Sequence, residues 1–196
     1  MYRLAFIIAL IASPAFAADP VNIRPDIASV TVETPAGPMN VIRNQNPENR
    51  LEGDWALTSR ACPPFCIQPV SPADGVRTIG ELELLEMLTD PAAVVIDSRT
   101  PVWFKGGSIP GAVNMPYTGM ADELEQLGCE VDFDGYDCGP DVPQIALFCN
   151  GPWCGQSPTA IRRIIEAGYP AGKISYYRGG MQVWRMLGLT VTSPEG

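Results

Sequence analysis

Ile145-Ala146-Leu147-Phe148-Cys149-Asn150-Gly151-Pro152-Trp153-Cys154-Gly155-Gln156-Ser157-Pro158 is the stretch whose reading decides the architecture. Its first four residues form an apolar run, suited to a strand buried on both faces. A glycine-containing loop follows, and Ser157 is an N-cap residue type with proline behind it, so a helix is expected over 158–167. Gly168 stops that helix. The same rhythm continues on either side. Upstream, Glu81–Met87 reads as a short amphipathic helix and Ala92–Ile96 as a second buried strand, closed by polar Asp97. Downstream, Ile174–Tyr177 is β-branched and aromatic, then gives way to Arg178 and a glycine pair. Strands alternating with helices predict an α/β fold, a parallel sheet covered by helices.

The chain divides into three expected parts. Residues 1–17 read as a signal peptide: Arg3, an apolar run from Leu4 to Ala12, and a small-residue cleavage site ending at Ala17. The run is about half of the ~20 residues that span a bilayer, so an exported, periplasmic or secreted protein is expected, with no membrane partner after cleavage. Residues 18–74 form an N-terminal extension rich in Pro and Asn. It contains one β-hairpin, Val30–Val32 and Asn40–Ile42 around Pro35-Ala36-Gly37-Pro38. Residues 75–196 form the main domain. Composition narrows the function. A hydrophobic fraction of 46% against 18% charged residues over 196 positions fits one packed core and excludes a disordered chain. A net charge of -9 opposes nucleic-acid binding. The histidine count is zero, which excludes a Ser/His/Asp triad, a Cys/His pair and any imidazole metal ligand.

Cysteine chemistry is what these exclusions leave. Six cysteines allow 15 full pairings, although their spacing groups them as neighbours. Cys129 and Cys138 flank a turn around Gly135 and are expected to form a disulfide. Cys62 and Cys66 have three residues between them and read as a stapled loop. The gaps do not repeat a zinc-knuckle spacing, so no metal site is expected. Asp132-Phe133-Asp134 reads as a solvated turn, without the later carboxylates of an EF-hand. Cys149 stands where functional crevices open, beyond the carboxyl end of a strand. Loop amides and the positive end of the following helix are expected to keep its thiolate ionised and reachable without histidine. A plain disulfide between Cys149 and Cys154 is the competing reading of the same spacing. Trp184, with Met186, Leu187 and Leu189, reads as core packing, and Asp97 and Arg99 as a pair fixing a strand end.

Four segments resemble the rhodanese-like (sulfurtransferase) domain. Val95-Ile96-Asp97-Ser98-Arg99 is similar to the family's strand ending in Asp-x-Arg, and Gly107 to Pro116 resembles its G-H-I-P-G-A-x-N-x-P segment. Phe148-Cys149 falls at its persulfide-forming cysteine, and Gly179-Gly180-Met181-Gln182-Val183-Trp184 is similar to its G-G-x-x-x-W close. The resemblance implies a central parallel sheet flanked by helices. It also implies Cys149 as the nucleophile that takes a sulfane sulfur from a small donor and passes it to a thiol acceptor. Asn150, Gly151, Pro152, Trp153, Gly155, Gln156 and Ser157 would form the substrate-binding loop, and no cofactor is implied. The chain departs from the pattern in three ways. Ser108 replaces a histidine, the loop after Cys149 is two residues longer and lacks arginine, and it carries Cys154. Without a loop arginine the donor is left open, and the C-x5-R phosphatase pattern is not met. Arg178 is the candidate to supply the missing charge. Cys154 is the candidate resolving thiol, which would make the protein a thiol-disulfide relay reset by an exported thiol reductase. A non-catalytic binding module is the third reading.

Overall fold

Every residue of Ile145–Phe148 is shut away from water on both faces of a sheet, and that double burial explains its unbroken apolar run. The computed structural model describes residues 19–133 and 135–192. The expected signal peptide lies outside the described residues, as does Asp134 of the acidic run. In chain order the elements are β1 (Ser29–Val32), β2 (Met39–Ile42), β3 (Arg77–Ile79), α1 (Glu81–Thr89), β4 (Ala93–Asp97), α2 (Pro101–Lys105) and β5 (Val113–Asn114). They continue with β6 (Glu130–Asp132), β7 (Gly135–Asp137), β8 (Gln144–Phe148), α3 (Gln156–Glu166), β9 (Ile174–Tyr177) and α4 (Gly180–Met186).

Strands β3, β9, β8, β4 and β5 form one sheet in that order, with every neighbouring pair parallel. Helices and the N-terminal hairpin cover its faces. Along β8 the side chains alternate between two cores. Ile145 and Leu147 pack with Ala160, Ile161 and Ile164 of α3, and Ala146 and Phe148 pack with Leu84 of α1 and Met181 and Trp184 of α4. Fully burying one such aliphatic or aromatic side chain contributes about 1.5–3 kcal/mol.

The antiparallel pair β1–β2 brings Val32 and Val41 into the second core, so the extension packs on the sheet. Backbone bonds reinforce the junction: Thr190 donates to the carbonyl of Ile42 at 3.0 Å, and Asn44 to that of Gly188 at 2.7 Å. One expectation shifts. Helix α3 starts at Gln156 with Gly155 as its N-cap, and the Ser157 hydroxyl donates to the Ser98 hydroxyl at 3.2 Å instead of capping. Among the described residues no helix is long and apolar enough to cross a membrane.

Candidate active site

Strand β8 delivers Cys149 to the carboxyl edge of the sheet, flanked by β9 on one side and β4 on the other. The loop that follows is pinned by α4. Met181 and Gln182 donate their amides to the carbonyls of Cys149 and Asn150 at 3.0 and 2.9 Å. Such an approach needs glycine at position 180. Its φ is +54°, and a Cβ there would lie 2.3 Å from the Cys149 carbonyl oxygen. Within the loop, Cys154 donates its amide to the Gly151 carbonyl at 2.9 Å, closing a turn. That turn returns the Cys154 carbonyl to the nucleophile candidate, and the Cys149 thiol donates to it at 3.2 Å.

A second buried network braces the loop from β4. Arg99 pairs with Asp97 at 2.6 Å, with both side chains out of water. Its guanidinium also donates to the Gly107 carbonyl at 2.8 Å and to Asn150 Oδ1 at 3.2 Å. Ser108 donates its hydroxyl to Asp97 Oδ2 at 2.6 Å. Asp97, Arg99, Ser108 and Asn150 thus form one hydrogen-bonded unit that ties three loops together. Trp184 is fully buried and donates its indole N–H to the Thr190 carbonyl at 2.7 Å.

The sequence profile of the rhodanese-like domain matches residues 81–187. The chain belongs to the rhodanese-like family. It is 30% identical over 121 residues to an HTH-type transcriptional regulator of Mycobacterium tuberculosis, an alignment covering 62% of this chain and 46% of that one. The chain therefore spans less than half the length of that relative. A sulfurtransferase of Allochromatium vinosum is 25% identical over 122 residues, which is 62% of this chain and 99% of its own. Among solved structures, a rhodanese-related protein from Thermoplasma volcanium aligns with a TM-score of 0.44 at 25% identity, covering 59% of this chain and 97% of that one.

In this rhodanese-like loop the two thiols differ in kind. The other four cysteines are joined as Cys62–Cys66 and Cys129–Cys138, and Cys149 and Cys154 are free and buried. Cys149 is 1% exposed, and burial pushes its thiol well above the ordinary range. The Ser157 amide and hydroxyl pull it down without offsetting that burial. This corrects the expectation that loop dipoles keep Cys149 ionised and reachable: desolvation outweighs them. Cys154 is the thiol lowered, to about 7, chiefly by a hydrogen bond from Cys149, with help from loop amides and the charge of Arg99. Its sulfur also lies 3.7 Å from Gln156 Oε1. The hydroxyl of buried Tyr176, close enough to feel both thiols, has no hydrogen-bond partner among the described residues.

The N-terminal extension, outside the span matched to the rhodanese-like profile, forms a cover over the loop that the sequence reading did not anticipate. Gln68 donates its amide to the Pro152 carbonyl at 2.8 Å, and its side chain lies against Gly155. Phe65, inside the Cys62–Cys66 staple, packs on Trp153 with ring centroids 4.8 Å apart, and the Arg60 guanidinium lies over both rings. Beside this stack lies a cavity of about 720 Å³ lined by Leu57, Phe65, Ile67, Trp153 and Val183. Arg178 does not point its charge at the Cys149 loop. It donates to the carbonyls of Gln68 and Pro69 at 2.9 and 3.2 Å, strapping the cover to the sheet. A phenylalanine held between two stapled cysteines was the available signal for this contact. Among the described residues no cluster of three or more His, Cys, Asp or Glu is placed to hold a metal.

Proposed function

We propose that this rhodanese-like protein is a sulfurtransferase that carries sulfane sulfur as a persulfide on Cys149. The observation that carries the reading is the pair of free, buried cysteines at the carboxyl end of β8, where the Cys149 thiol donates to the Cys154 carbonyl at 3.2 Å and the Cys154 thiol is lowered to about 7. In a chain without histidine, Cys154 serves as the base. The Cys149 proton passes to the Cys154 thiolate, and the Cys149 sulfur attacks the terminal sulfane sulfur of the donor. The donor S–S bond breaks and its remainder leaves with the electron pair, as sulfite from thiosulfate or as a thiolate from an organic persulfide. A thiol acceptor then attacks the outer sulfur and returns Cys149 as a thiolate. Arg178 is bonded to the cover and Arg99 is paired with Asp97, so neither is free to take a dianion, which favours an organic persulfide over thiosulfate as donor. The two disulfides support export to an oxidising compartment, periplasmic or extracellular.

Intact mass of the protein, reduced at Cys149 and Cys154 and exposed in turn to thiosulfate and to an alkyl persulfide, tests this directly. One sulfur taken up per chain is expected, read as an adduct mapped to Cys149 or as the hydrosulfide it releases, and lost in Cys149→Ser. If neither donor gives an adduct on Cys149 or hydrosulfide from the chain, the reading fails.

A further inference from the structure

The carrier reading uses Cys154 as a base and leaves its nucleophilicity unused. Three observations give that sulfur a second task. Cys154 is free and buried like Cys149, whose thiol donates to the Cys154 carbonyl, while the remaining four cysteines are locked in disulfides with one another. The Gly151–Cys154 turn holds the second cysteine back over the first, with its carbonyl 3.2 Å from Cys149 Sγ. The cover formed by Phe65 and Gln68 lies on Trp153 and Pro152, so the thiol already within reach of Cys149 belongs to the loop itself.

We propose, building on the persulfide reading, that Cys154 is a resolving nucleophile that discharges the Cys149 persulfide as hydrosulfide and leaves a Cys149–Cys154 disulfide. Cys154 gives up to solvent the proton it took during loading, its thiolate attacks Cys149 Sγ, and a new S–S bond forms between the two side chains. The bond from Cys149 Sγ to the sulfane sulfur breaks, and hydrosulfide leaves with its electron pair. The sulfane sulfur is reduced by two electrons and the two cysteines are oxidised by two, so no outside oxidant enters. Resetting the pair takes two electrons and two protons from a dithiol reductant of the exported compartment. A thiol that ionises at about 7 suits this attack, because exchange is fastest for an attacking thiol titrating near the ambient pH. The protein would thereby release sulfide by reduction, an output that transfer to an external acceptor does not give.

The test is a single loading of the full chain, reduced at this pair, with an alkyl persulfide and no free thiol. Hydrosulfide is assayed, and the protein is alkylated and peptide-mapped. Wild type is expected to release one hydrosulfide per chain and to yield a cross-linked Cys149–Cys154 peptide. Cys154→Ser, which lacks the base and so loads more slowly, is expected once loaded to keep the added sulfur on Cys149 and to release no sulfide. A wild-type chain that holds its persulfide with Cys154 still open to alkylation overturns the resolving role, without needing any variant to fold. So does a Cys154→Ser chain that releases sulfide as fast as wild type. Failure of the parent reading looks different: no sulfur reaches Cys149 in either protein.

Discussion

Asp97 and Arg99 meet at 2.6 Å with neither side chain in contact with water, and Arg99 reaches on to Asn150 in the cysteine loop. A buried pair of this kind costs most when one partner is removed, because the other is left charged and uncompensated. Arg99→Leu is therefore expected to lower stability by about 3–5 kcal/mol, read as a shift in the urea midpoint. An unchanged midpoint would show that the pair is not supporting this edge of the sheet. The thiols supply the residue-scale pH dependence. Because the folded state holds Cys154 down to about 7 from an ordinary 9.0, its thiolate contributes stability that is complete above 9.0 and lost as pH falls through about 7. Cys149 is shifted upward, so its contribution is complete below its ordinary value and lost at higher pH. Alkylation mapped to Cys154 should rise through a midpoint near pH 7. In Cys149→Ala that midpoint should climb, since the hydrogen bond that lowers it is gone; a midpoint that stays put contradicts the assignment.

At the scale of elements, the segment from Arg60 to Pro69 behaves as part of the site. It is held by the Cys62–Cys66 staple, the Phe65–Trp153 stack and Arg178. Opening the staple with Cys62→Ser/Cys66→Ser should cost about 2 kcal/mol by releasing a short loop, and should speed alkylation of Cys149. Equal alkylation rates in the two proteins would mean that the segment does not guard the sulfur. The strands were legible in the residues because their signals are local: Ile145–Phe148 and Ile174–Tyr177 are compact runs bounded by loop residues. The glycine pair at the start of α4 could be read as a break, but its reason, the Cys149 carbonyl 2.3 Å from a would-be Cβ at Gly180, is tertiary. Of the cover, only Phe65 inside its staple left a signal, because Gln68 meets Pro152 through backbone atoms that no side-chain pattern announces. Ionisation of the thiols escaped for a related reason. The loop before a helix is visible in the chain, whereas the burial that overrides its dipoles is a property of the packed fold.

For the whole molecule, the hairpin and the sheet share a core. Val32 and Val41 lie against Ile79, Leu84 and Trp184, and β2 is bonded to the chain after α4. Extension and sheet are expected to unfold together, and Val41→Ala should destabilise both by on the order of 2 kcal/mol. Fluorescence variants that retain only Trp55, in the extension, or only Trp184, in the core, should give coincident urea transitions. Separate transitions would show two independent units. The cover over Cys149 carries a kinetic consequence as well. Because Cys149 is 1% exposed, a reagent can reach this sulfur only during moments when the fold around it opens, an opening equilibrium rather than a collision. At high reagent concentration the modification rate should level off, and its ceiling becomes a clock for how often the molecule breathes.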